Sequence, residues 1–124
     1  VRLKHLAELN QEREKICGIY IKQIENEALE LPKVREGATT VWHQFVIHSK
    51  RREELIKYLN EKEIGTIIHY PIPPHLSEAY GYLGLGKGSL PITEKYADEV
   101  LSIPLYNGMT VEEQEYVIEK INRF

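Results

Sequence analysis

The sequence predicts an α/β (α+β) domain: a small mixed, largely antiparallel sheet of about three strands with helices on one face. Three observations carry this prediction. Residues 39–48, TTVWHQFVIH, alternate with the two-residue period of a half-buried strand, while the flanking segments repeat apolar residues at three- and four-residue steps. A strand–helix–strand order is followed by helices, a strand and a helix, which packs into layers with short connections. The composition is that of a globular domain, 42% hydrophobic and 28% charged over 124 residues, long enough to bury one core.

Residues 1–26 read as a helix in which Val1, Leu3, Leu6, Leu9, Ile16, Cys17, Tyr20 and Ile24 form the apolar positions. The pattern starts at once, with Val1 in place of Met and no cap residue, so a piece beginning in mid-helix is expected. Pro32 and Gly37 break the connector 30–40. In the strand 39–48, Val41, His43, Phe45 and Ile47 point one way and Trp42, Gln44, Val46 and His48 the other. Ser49 is placed to cap a helix over 50–63, with Leu55, Ile56 and Leu59 inward. Thr66 to Tyr70 is β-branched and reads as a strand that must end at Pro71, Pro73 and Pro74, which remove donors and fix φ.

A helical turn over 76–83 leads into the loop GLGKGS, and Pro91 opens a helix to about Val100. Leu101 to Leu105 is the last strand, expected to run antiparallel to one or both of the others. Thr110 and Glu113 form a capping box for a final helix, with Val111, Tyr116 or Val117, Ile118 and Ile121 facing inward.

Several function classes are excluded or disfavoured. A net charge of −3 without a Lys/Arg patch lacks the electrostatic footprint of nucleic-acid binding. No apolar run spans a bilayer and no signal-peptide pattern opens the chain, so no membrane partner and a cytoplasmic location are expected. The single cysteine, Cys17, rules out an internal disulfide and reads as a buried thiol. Gly81, Gly86 and Lys87 approach a phosphate-binding loop, but Gly88 stands where Ser or Thr is required and no buried strand precedes it. The five histidines lack carboxylates or thiols at ligand spacing, so no metal site is assigned, and His43 is read as a hydrogen-bonded core residue. A nucleophile arrangement is also missing.

What remains is the stiff loop IGTIIHYPIPPH (64–75), which carries His69, Tyr70 and His75 just past a strand end. Two imidazoles and a phenol donate and accept hydrogen bonds near neutral pH and suit polyhydroxylated or phosphorylated ligands. The competing reading packs Tyr70 and the prolines on the sheet edge and leaves the histidines in solvent.

The segments VRLKHLAELNQERE, VWHQFVI, EKEIGTIIHYPIPPHLSEAY and SLPITEKYADEVLSIPLYNGMTVEEQEYVIEKI resemble, in that order, the C-terminal small domain of the DegT/DnrJ/EryC1/StrS family of PLP-dependent sugar aminotransferases. The most specific pieces are HYPIPPH with the following AY, and the run ending in LSIPLYNGMT. The resemblance implies the small domain of a fold-type I enzyme, with 1–124 a single domain and 1–26 the tail of the interdomain helix. It implies a homodimer that moves an amino group, usually from glutamate, to a nucleotide-linked keto-sugar in polysaccharide or amino-sugar biosynthesis.

Pyridoxal 5'-phosphate and its Schiff-base lysine would belong to a large domain, so no catalytic and no cofactor-binding residue is assigned to this chain; Lys87 and Lys95 stand in the wrong context. Only His69, Tyr70, Pro71 and His75 carry over, as substrate-binding contacts. The alternative is a stand-alone ligand-binding or regulatory module without catalysis.

Overall fold

The computed structural model describes residues 2–124. Val1, expected on the first helical stripe, lies outside the described residues. A short 3₁₀ turn, Arg2–His5, leads into α1 (Leu6–Gln23), and the chain then runs through β1 (Phe45–His48), α2 (Arg52–Glu61), two 3₁₀ turns (Pro74–Leu76 and Glu78–Leu83), α3 (Pro91–Glu99), β2 (Val100–Ile103) and α4 (Val111–Asn122). The order and the antiparallel pairing agree with the α/β class predicted from sequence.

β1 and β2 pair antiparallel, Phe45 opposite Ile103 and Ile47 opposite Leu101. Those four side chains share one face and are buried with Tyr20, Leu55, Leu59 and Ile121 from three helices. Tyr20 meets Phe45 edge-on at 5.1 Å between ring centres, a geometry favoured by the ring quadrupoles. Only the second half of α1 contributes buried residues (Ile16, Cys17 and Tyr20), and Leu3 is 82% exposed. The thiol of Cys17 is buried, as expected.

The sheet is shorter than predicted. The strand expected over 39–48 begins at Phe45, because Trp42 takes a left-handed backbone (φ 47°). That twist breaks the alternation. It brings Trp42 onto the core side, stacked on Phe45 at 5.7 Å, and leaves Val41 and His43 exposed. His43 is therefore not a core histidine.

The strand expected over 66–70 contracts to a single antiparallel bridge between Ile67 and Ser102. On the opposite edge Glu30 bridges His48. Continuing that ladder would set Pro32 against Val46, and proline has no N–H to give.

Local signals read well where partners are close in sequence. Thr110 Oγ1 accepts from Glu113 N (3.2 Å) and Glu113 returns a carboxylate to Thr110 N (2.8 Å), completing the capping box. On α4 the inward residues are Val117, Ile118 and Ile121, whereas Val111 is exposed. Ser49 lies three residues before α2; its hydroxyl accepts from Arg51 N (3.1 Å) and donates to Ala28 O (3.0 Å), joining the turn to the connector.

Candidate functional site

The outer face of the sheet carries Val46, His48, Ser102 and, from the bridge beyond β2, the segment leading to the Pro-rich loop. At the Ile67 end this face opens into a groove of about 440 Å³ lined by His43, Gln44, His69, Ser102 and Tyr106, among others. The bond between His69 Nδ1 and Ser102 Oγ (3.0 Å) fixes the imidazole to the strand. Tyr70 follows with a left-handed backbone (φ 56°) and its side chain 84% exposed, near the His69 ring at 6.4 Å between centres. For a residue with a Cβ that conformation is costly, and exposure means no burial offsets it.

The four residues singled out in the loop separate into two groups. His69 is half-buried at the groove with the exposed Tyr70 ring near it, while the exposed Pro71 lines a separate hollow with Pro73, Lys87 and Glu94. His75 is elsewhere: it is 5% exposed and its Nε2 lies 3.0 Å from Glu94 Oε1. Glu94 also accepts from Gly88 N at both oxygens (2.9 and 2.8 Å) and from Leu90 N (3.2 Å). The backbone donor of Gly88 first, then His75, hold the Glu94 carboxyl below its ordinary range. An ionised carboxylate only accepts, so His75 Nε2 carries the hydrogen.

Two backbone N–H groups at the end of the Gly-rich loop, those of Gly88 and Leu90, are thus taken by the chain's own carboxylate. Glu94 joins the Pro-rich loop, the Gly-rich loop and the first turn of α3 at one point, a junction hidden from sequence because its partners lie four to nineteen residues away.

A second cavity, of about 670 Å³, lies beside Leu29, Glu30, His48 and Tyr96. His48 Nε2 meets Glu99 and its Nδ1 lies 3.6 Å from Glu30, with the Tyr96 ring tilted over it at 5.5 Å. The two carboxylates bind opposite ring nitrogens, so they do not converge on one ion, and no metal cluster is found among the described residues. The groove of His43, His69, Ser102 and Tyr106 offers imidazole and hydroxyl groups for hydrogen bonding.

Lys87 lies in the exposed Gly-rich loop, and Lys95 is half-exposed with its ammonium 4.0 Å from Glu99.

The family profile described as the DegT/DnrJ/EryC1/StrS aminotransferase family matches residues 1–122. A dTDP-3-amino-3,6-dideoxy-alpha-D-galactopyranose transaminase of Aneurinibacillus thermoaerophilus is 41% identical over 124 residues, covering 100% of this chain and 34% of that protein. A "pleiotropic regulatory protein" of Geobacillus stearothermophilus is 37% identical over 127 residues, again 100% of this chain and 34% of its own length. The crystal structure of DesV from S. venezuelae, solved in complex with a ketimine intermediate, superposes with a TM-score of 0.93 at 33% identity, over 98% of this chain and 33% of that one. The chain spans about a third of the length of the relatives it matches.

Proposed function

The chain belongs to the DegT/DnrJ/EryC1/StrS aminotransferase family, and from that membership we propose that it is the C-terminal small domain of a PLP-dependent sugar aminotransferase, α1 (Leu6–Gln23) continuing the segment that enters it from a larger domain. The cofactor and its lysine lie in that larger domain. The substrate is a nucleotide-linked keto-sugar, the amino donor glutamate, and the working enzyme a homodimer serving amino-sugar or polysaccharide synthesis.

In this reading the chain supplies the sugar-side wall. His69, fixed by Ser102, offers a ring nitrogen to a hydroxyl or carbonyl oxygen, the exposed Tyr70 ring lies near it, and Pro71 follows in the same loop. His75 supports the loop from behind through Glu94. The observation that carries the reading is Tyr70: a strained, solvent-facing aromatic beside an anchored imidazole at a groove mouth, on a rigid turn. Pre-ordered loops of this kind orient a substrate at low entropic cost, and closure over it excludes water.

The test separates the two half-reactions in the longer protein. Tyr70→Ala and His69→Ala are expected to slow amination of the keto-sugar while leaving amino transfer from glutamate to the cofactor unchanged. Equal losses in both halves, or none in either, would overturn the wall assignment. A second reading, a regulatory module, is favoured by the names of two relatives, the Geobacillus "pleiotropic regulatory protein" and a Saccharopolyspora "sensory transduction protein". It predicts that the longer protein binds a sugar or partner yet forms no pyridoxyl-lysine.

A further inference from the structure

The groove has two rims that belong to different parts of the chain, and both are tied to one residue of α1. Arg13 donates from Nε to Val41 O (3.3 Å), two residues before His43, and from Nη1 to Asn107 Oδ1 (2.7 Å), next to Tyr106. Its other terminal nitrogen binds Asn10 one turn back, which fixes the fork on the helix. Asn107 is in turn fully engaged: its Nδ2 donates to Leu9 O (2.8 Å) and to Glu12 Oε2 (2.7 Å), and Gly108 N donates to Glu12 Oε1 (2.7 Å).

Each rim also carries a left-handed residue beside the point of attachment, Trp42 (φ 47°) on one and Gly108 (φ 87°) on the other. At Trp42 the conformation is unfavourable and persists only where surrounding contacts impose it.

We propose that Arg13 is a positioning residue for the groove, its single guanidinium setting the separation of the His43 rim from the Tyr106 rim. This rests on the groove being the ligand-binding site. A planar fork with N–H groups on several edges can hold two carbonyl-type acceptors on different segments in fixed directions; an ammonium on a flexible stem cannot hold both in that geometry. Because Arg13 sits on α1, the same bonds make any tilt of that helix a change in groove width. Leu6 at its start and Leu3 in the turn before it are exposed, so that end of α1 is not held by this chain's own core. The partners of Arg13 are 28 and 94 residues away, which is why the sequence alone does not reveal the role.

The test reads groove geometry with no ligand present, so its failure is separate from failure of the sugar reading. A fluorotyrosine is placed singly at Tyr106, on the groove, or at Tyr116, whose hydroxyl donates to Lys62 O (3.1 Å) away from it. Fluorine spectra of the longer protein are then compared for the parent, Arg13→Lys and Arg13→Ala. The expected result is a Tyr106 signal shifted or broadened beyond its linewidth in both variants, with Tyr116 unmoved, and a return toward the parent position in Arg13→Ala on adding guanidinium at non-denaturing concentration. An unmoved Tyr106 signal, or equal movement of both signals, would overturn the proposal.

Discussion

Tyr70→Gly is the substitution whose outcome separates functional strain from ordinary packing. The parent residue holds a left-handed backbone that costs an L-residue about 1–2 kcal/mol. Glycine removes that cost but adds about 0.5–1 kcal/mol of unfolded-chain entropy. Little burial is lost, since the side chain is 84% exposed. The net expectation is a gain of about 0.5–1 kcal/mol, or roughly 2–5 °C in Tm for a domain of this size. Urea denaturation followed by circular dichroism measures it, with the denaturant slope unchanged. Tyr70→Phe, which keeps both the strain and the ring, is expected to be neutral in the same assay. A Tyr70→Gly protein destabilised by more than about 1 kcal/mol would show that the ring packs rather than waits for a ligand, and the argument from strain would fail.

Three further outcomes follow from the packing and the charges. Thr110→Ala removes the side-chain half of the capping box on α4 and is expected to cost about 1 kcal/mol in urea denaturation, with Thr110→Ser near the parent. Glu12, Glu94 and Glu113 titrate below the ordinary 4.5 because Asn107, Gly88 and Thr110, respectively, donate to the charged forms most strongly. Their contribution is present above 4.5, the unfolded value, and is lost as pH falls through the lower folded values. Thermal stability should therefore hold as pH drops toward about 5 and decline below it, less steeply in Glu94→Gln. Burial pushes the Cys17 thiol up to about 12, so thiol reagents at neutral pH should label the protein only on unfolding; rapid labelling of the native state would contradict the buried placement.

What the sequence disclosed divides along the distance between partners. The Thr110–Glu113 box and the Pro91 start of α3 depend on residues within one helical turn and are found where expected, while the helical turn expected over 76–83 is a 3₁₀ turn over Glu78–Leu83. The alternation in TTVWHQFVIH was legible as a strand, but not the backbone inversion at Trp42. That inversion depends on ring stacking with Phe45 and on the Arg13 bond to Val41 O. His75 looked like a ligand contact because its proline-rich neighbours are stiff; its burial depends on Glu94, 19 residues on, and no periodic pattern signals that pairing. For the same reason His43 and Tyr106 were not recognised as facing one groove.

The central claim is that this chain furnishes a substrate-side wall while the cofactor's lysine lies elsewhere in a longer polypeptide. Borohydride reduction of that longer protein with pyridoxal phosphate, followed by peptide mass mapping, tests it most directly. The account predicts one pyridoxyl-lysine, outside the 124 residues described by this sequence. A stoichiometric adduct on Lys87, Lys95 or any other lysine of this chain would contradict it.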